Sequence, residues 1–254
     1  MPAPYNRLKA RLALNELQIG CWLGTGSSYV AEIAATAGFD WLLIDGEHAP
    51  NDLTGIARQL AIVDGSDADA IVRLPMDEAW LIKQVLDAGA QSLLIPMVES
   101  GEQARAIVRA TRYPPSGIRG IGAALARASE FNAIPDYLST ANDQIAVVAQ
   151  VETRAGLDAI EDIAAVDGID ALFIGPSDLA ADMGHIGNTT AAEVEEAIAI
   201  ALARITGAGK AAGILSLDRN YGEMHIEQGA TMIGVGIDVL TLANGLRQTA
   251  AAWR

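Results

Sequence analysis

Cysteine is nearly missing from this chain: its 254 residues hold one, Cys21. A single thiol rules out an internal disulfide and any zinc site built on clustered cysteines. Lysine is almost as scarce, with only Lys9, Lys83 and Lys210. Basic residues number 17 against 32 acids, a net charge of −15. A field of that sign repels polyanions, so neither nucleic acid nor an anionic membrane is an expected partner. No uninterrupted apolar run approaches the ~20 residues of a membrane span. The first seventeen residues are broken by Arg7, Lys9, Arg11 and Glu16 and carry no secretory apolar core. A cytoplasmic setting is expected. The hydrophobic fraction of 51% with 25 Gly and 9 Pro is that of a globular chain, neither disordered nor fibrous. The length suits one large domain, residues 1–254.

Short apolar runs recur, each bounded by Gly, Pro or Asp: Ile19–Leu23, Trp41–Ile44, Ala70–Leu74, Ser92–Pro96, Ile145–Val151, Ala171–Ile174, Ala211–Leu215 and Thr231–Val235. They lack polar alternation, as strands covered on both faces do. Segments of helical spacing lie between them: Tyr29–Ala37, Asp52–Val63, Glu78–Ala88, Gly101–Thr111, Leu157–Val166, Ala191–Thr206 and Arg219–Gln228. One helix near Tyr5–Leu17 precedes the first run, and another, Val239–Trp253, ends the chain. Eight strands alternating with helices predict a (β/α)₈ TIM barrel. The rival is a doubly wound open sheet, but Gly24-Thr25-Gly26 stops short of a dinucleotide or phosphate loop. The long stretch between the fourth and fifth runs, from Tyr113 to Asn142, reads as an extended loop on the active-site face.

Barrel chemistry sits at the C-terminal strand ends. There the second run reaches Asp45-Gly46-Glu47-His48, the third Arg73, the fourth Glu99 and the fifth Gln150 and Glu152. The sixth leads to Ser177 and Asp178, the seventh to Leu215 and the eighth to Asp238. Glu152 and Asp178 end neighbouring strands, and two carboxylates completed by water suit a hard divalent ion. Taken singly, each reads rather as a helix-start acid, Asp178 as the cap of a helix beginning near Leu179 and Glu152 in a first turn, and it is the pair at adjacent strand ends that favours a metal. His48 places a group titrating near neutrality at the mouth. Arg73, after Ile71 and Val72, needs an acid or an anionic ligand as partner; Asp45 and Glu47 are further candidates at the mouth, and either could simply pair with Arg73. His185 and His225 read as structural or solvent-exposed. No lysine is placed to form a Schiff base, so carbanion chemistry here would rest on a metal ion.

Three segments carry a resemblance: Trp41-Leu42-Leu43-Ile44-Asp45-Gly46-Glu47-His48-Ala49-Pro50-Asn51, Ala110-Thr111-Arg112-Tyr113-Pro114-Pro115-Ser116-Gly117-Ile118-Arg119-Gly120, and Phe173-Ile174-Gly175-Pro176-Ser177-Asp178-Leu179. They resemble the HpcH/HpaI family, class II pyruvate-dependent aldolases of the 4-hydroxy-2-oxoheptane-1,7-dioate and 2-dehydro-3-deoxyglucarate type. The resemblance covers essentially the whole chain. It implies a barrel whose last helix is exchanged with a neighbour, in a hexamer, and one divalent ion per subunit (Mg²⁺, Mn²⁺ or Co²⁺) with no organic cofactor. It implies Glu152 and Asp178 as metal ligands, His48 as the catalytic histidine and Arg73 as the transition-state arginine. Asp87 matches the acid that raises the histidine's basicity, reaching a site through the oligomer, and Asp45 is a second candidate partner of His48. Gln150, Ser177, Asp178, Arg73 and Leu215 match substrate contacts; many relatives carry Ala at position 177.

The reaction so implied is reversible aldol cleavage. A 2-oxo acid chelates the metal and His48, through a metal-bound water, takes the 4-hydroxyl proton. The carbon–carbon bond breaks, and Arg73 and the metal stabilise the resulting enolate. The alternatives are a related metal-enolate lyase acting on an acyl-CoA ester and a non-catalytic binder of keto acids.

Overall fold

The computed structural model describes Met1–Arg254. Its parallel strands are β1 (Gln18–Leu23), β2 (Trp41–Asp45), β3 (Asp69–Arg73), β4 (Ser92–Ile95), β5 (Ala146–Val151), β6 (Ala171–Ile174), β7 (Ala211–Leu215) and β8 (Ala230–Ile237). They pair in chain order and β8 returns to β1, closing the barrel. Every residue of β2, β4, β5 and β6 is buried, the reason these runs show no polar alternation. Successive side chains still point opposite ways. Trp41, Leu43, Ile71 and Phe173 fill the interior with Trp22 and Met232, while Leu42, Ile44, Val72 and Leu172 pack outward under the helices. The eightfold barrel is thus a filled core with two apolar layers, and only its ends are free for chemistry.

The helices are α1 (Arg7–Ala13), α2 (Ser28–Ala35), α3 (Leu53–Val63), α4 (Ala79–Asp87), α5 (Gly101–Thr111), α6 (Tyr137–Thr140), α7 (Arg154–Asp158), α8 (Ile160–Ala164), α9 (Pro176–Asp182), α10 (Ala192–Gly207), α11 (Arg219–Glu227) and α12 (Asp238–Ala251). The strand-to-helix joints start where a short polar side chain can accept an orphan N–H. Ser27, Asp52, Ser100, Thr153 and Asp218 do this for α2, α3, α5, α7 and α11, each worth about 1 kcal/mol. At the other end, α1 plugs the barrel with Leu8 and Leu12, which join the interior cluster.

Three expectations change. The stretch after Thr111 does not lie on the active-site face. The chain has already run down α5, so this segment is a helix-to-strand connection at the end where strands begin. It carries a 3₁₀ turn (Arg127–Ser129), α6 and a second 3₁₀ turn (Ala141–Gln144), and it packs on the chain's first residues. Ala3 N–H donates to Thr140 Oγ1 at 2.8 Å and Asn6 N–H to Gln144 Oε1 at 2.9 Å. The helix expected over Leu157–Val166 is two pieces, α7 and α8. Ala159 N–H is shared between Ala155 O and Gly156 O at 3.2 Å each, so the i→i−4 ladder tightens there. Finally, α9 begins at Pro176, ahead of Leu179, because proline is well suited to a first helical position.

The last helix stands apart. Of α12 only Asp238 is buried, while Val239, Leu240, Leu242 and Leu246 are exposed.

Candidate active site

The rim where strands end is organised by one arginine. Registry of β2 with β3 sets Asp45 beside Arg73. Arg73 Nε donates to Asp45 Oδ1 at 2.9 Å and Nη2 to Oδ2 at 2.6 Å, a two-point grip that matches the planar guanidinium. A second acid, Glu47, brings Oε2 to 2.9 Å from Nη1. Both candidate partners of Arg73 are therefore engaged. Burial disfavours the guanidinium's charge, but Asp45, Glu47 and Glu152 outweigh it and raise its pKa. Burial likewise pushes on the Asp45 carboxyl, yet the Arg73 hydrogen bonds and charge hold it below the usual carboxylate range. Glu47 goes the other way. Its burial, with Asp45 and Asp178 adding, overcomes Arg73 and His48 and raises its pKa.

The loop after β2 is fastened around this pair. Asp45 Oδ1 also accepts the N–H of Glu47 at 3.0 Å and of His48 at 3.3 Å, and Asn51 Nδ2 donates to Asp45 O at 2.8 Å. Gly46 is required here. Its N–H donates to Arg73 O, and a Cβ at that position would lie 2.7 Å from the same oxygen.

Across the rim, Glu152 is buried at 2% exposure. It is neither a cap nor a first-turn acid, since Thr153 caps α7 after it. Its Oε1 accepts the Met97 N–H at 2.9 Å and its Oε2 the Gln150 amide at 2.6 Å. Met97 holds φ 53°, a left-handed backbone that a long side chain adopts only at a cost of order 1–3 kcal/mol. That strain aims its N–H at the carboxylate. Just after β6, a side chain at Gly175 would overlap the Glu152 carboxylate and the Gln150 amide, so glycine keeps the space open. Asp178 follows in the first turn of α9 and is exposed; the cap position is Gly175, which has no side chain to offer, so Asp178 is not the cap. Burial, with Asp178 and Glu47 adding to it, pushes the Glu152 carboxyl up to about 7 against the pull of the Met97 N–H and Arg73.

No three His, Cys, Asp or Glu side chains form a ready cage for an ion. Asp178 and Glu47 do stand near enough to Glu152 for their charges to act on its carboxyl. Burial is the main reason the Glu152 pKa is raised, with Asp178 and Glu47 adding to it, and a hard cation completed by water or substrate oxygens would offset that cost. The donor set therefore fits a divalent ion of the magnesium and manganese type.

Other expected site residues fall as follows. The His48 side chain is 68% exposed at the mouth, with Glu47 Oε2 3.8 Å from its Nε2. Asp45 reaches His48 only through the backbone N–H, not the ring. Asp87 is not at this rim: it ends α4 at the opposite end of the barrel. There it accepts Arg119 Nη2 at 2.7 Å, the arginine being fully buried and stacked 4.5 Å above the Tyr113 ring. Ser177 is exposed at the start of α9, and Leu215 is half-buried at the end of β7, against the interior cluster. Gln150 Oε1 is buried without a hydrogen bond. Lys9 and Lys210 donate to Ile145 O and Ile169 O, just before β5 and β6 begin, and Lys83 lies on α4, so no amine reaches the mouth. One contributor escaped the sequence, the Met97 N–H, which has no signature there.

The family profile described as HpcH/HpaI aldolase/citrate lyase matches residues 18–245. A hydroxypyruvate/pyruvate aldolase of Roseovarius nubinhibens is 62% identical over 100% of this chain and 99% of its own length. A 4-hydroxy-2-oxo-heptane-1,7-dioate aldolase of Klebsiella pneumoniae is 50% identical over 97% of this chain and 93% of its own. Among solved structures, an HpcH/HpaI aldolase/citrate lyase family protein from Burkholderia cenocepacia superposes with TM-score 0.94 at 43% identity, covering 98% of this chain and 99% of that one. The strand order, the acid-ringed arginine and this likeness along the whole length agree, and the chain belongs to the HpcH/HpaI aldolase/citrate lyase family.

Proposed function

We propose that this protein is a carbon–carbon lyase that reversibly cleaves 4-hydroxy-2-oxo acids to pyruvate, or a related 2-oxo acid, and an aldehyde. The observation that carries it is the rim itself: a clamped guanidinium and two interacting carboxylates, with an imidazole at the opening. The printed names of the relatives, a hydroxypyruvate/pyruvate aldolase and a 4-hydroxy-2-oxo-heptane-1,7-dioate aldolase, support the same substrate class.

Glu152 and Asp178 are the residues that would hold one divalent ion per subunit, Mg²⁺, Mn²⁺ or Co²⁺. When bound, that ion supplies Lewis acidity toward a 2-oxo acid. The protein's own groups do the rest. Arg73, kept charged by Asp45, stabilises negative charge developing on the 2-oxo oxygen, where preorganised charge acts most strongly. His48 takes the proton of the C4 hydroxyl. The C3–C4 bond then breaks, its electron pair staying with the 2-oxo acid as an enolate while the aldehyde departs. Protonation at C3 releases pyruvate, and addition is the reverse. Gln150, Leu215 and the backbone at Ser177 border the bound acid. No organic cofactor takes part.

The same reading includes assembly. The exposed apolar residues of α12 support exchange of this helix with a neighbour in a homo-hexamer. Asp87 then acts on a neighbour's His48. One domain, residues 1–254, carries the activity, in the cytoplasm. No helix is long and apolar enough to cross a membrane.

Crystals soaked with Mn²⁺ and pyruvate test the reading directly. Density bridging Glu152 and Asp178, with pyruvate against it, is expected, and a rim without density there overturns it. A pyruvate-release screen over 4-hydroxy-2-oxo acids of varied length and terminal charge then identifies the aldehyde half.

A further inference from the structure

The loop Gly46–Asp52 is held tightly, yet the imidazole it presents has no hydrogen bond. Gly46 is tied to Arg73 O, the N–H groups of Glu47 and His48 to Asp45, and Asn51 to Asp45 O and Leu23 O. Two titratable side chains leave this frame together, Glu47 and His48. Glu47 Oε2 lies 2.9 Å from Arg73 Nη1 and 3.8 Å from His48 Nε2, and no other carboxylate comes within 4.0 Å of that ring. The Glu47 side chain is 16% exposed and that of His48 68%. The anchored member is thus the acid and the loose one is the base.

Arg73 does not need Glu47 for neutrality, because Asp45 already meets it through two hydrogen bonds. Glu47 touches the guanidinium as an ion pair alone, and its negative charge remains in excess on the side that meets His48. An exposed imidazole samples several rotamers, and a fixed carboxylate beside it narrows them and favours the form that has gained a proton. We propose that Glu47 is a positioning residue: held by Arg73, it draws the His48 ring over the mouth and balances the charge that His48 gains from the C4 hydroxyl. The role rests on the reading of His48 as proton carrier. It gives His48 a carboxylate held within its own loop, beside the Asp87 that a neighbouring subunit would bring.

The test is a double-mutant cycle on the metal-loaded enzyme with Glu47→Gln and His48→Ala. Glutamine keeps the length and an oxygen for Arg73 but loses the charge. E47Q is expected to lower kcat for cleavage about 10–100-fold, as loss of an imidazole-orienting carboxylate does elsewhere, with KM within about twofold. E47Q/H48A should be no slower than H48A, since a residue acting through the imidazole has nothing left to orient. A second readout needs no turnover. In ¹⁵N-histidine NMR spectra the three imidazoles resolve, and E47Q should move the His48 signals while leaving His185 and His225 in place. Full kcat in E47Q, an undiminished E47Q effect in the H48A background, or unmoved His48 signals each overturns the proposal. So does a cycle in which Asp87→Asn couples to His48 and E47Q does not. An active H48A would instead sink the proton-carrier reading, and the NMR result would still report whether Glu47 and His48 meet.

Discussion

At the end of the barrel where strands begin, α1 carries three cations and each meets an acid: Arg7 with Asp69, Lys9 with Asp170, Arg11 with Asp40 and Asp69. At the end where strands finish, one guanidinium meets three carboxylates, Asp45, Glu47 and Glu152, and a fourth, Asp178, adds its charge to the last two. The first arrangement is complete in itself, and its ion pairs fasten a plug. The second leaves charge over, so it gains from a cation and an anionic ligand that come from outside the chain. Balance marks the structural end and imbalance the reactive one.

The contrast is broken most severely at Arg73. Arg73→Ala should remain folded and lose at least on the order of 10²–10³ in kcat, followed by pyruvate release; near-normal turnover would remove Arg73 from the chemistry. Chelation comes next. EDTA should silence the enzyme, and Mn²⁺ or Mg²⁺ should restore it.

A smaller effect sharpens the comparison by pH. The Glu152 carboxyl sits at about 7 in the folded protein, above its ordinary value of 4.5. A group raised in this way contributes stability that is present below the ordinary value and is lost as pH rises through about 7. The stabilisation by Mn²⁺, read as a Tm shift, should therefore be larger at pH 8 than at pH 5.5, where the ion must displace a proton. Equal shifts would contradict the assignment of Glu152 as a ligand. At the opposite end, Arg11→Ala should lower Tm by roughly 2–4 °C, about 1 kcal/mol, and leave kcat/KM unchanged. Borohydride with pyruvate should produce no covalent adduct by mass spectrometry, because all three lysines lie away from the mouth.

The barrel was legible because strands buried on both faces have to be apolar throughout, as Trp41–Asp45 and Ala171–Ile174 are. The acids and Arg73 stood out because charge ending an apolar run needs a partner. The face of the Tyr113–Asn142 stretch was misread because length alone does not say at which end a connection lies, and the descent through α5 decides it. The break at Ala159 depends on how one N–H divides between two carbonyls. The Met97 N–H is a matter of backbone angle, which no side chain announces. Asp87 is a surface acid by its sequence and pairs with Arg119 in its own chain.

The strand-to-helix connections at the reactive end are all short, the longest being the seven residues Gly46–Asp52. None is long enough to fold over as a flap. Small acids and aldehydes can diffuse to the rim through solvent channels, so turnover inside a crystal should proceed without cracking the lattice.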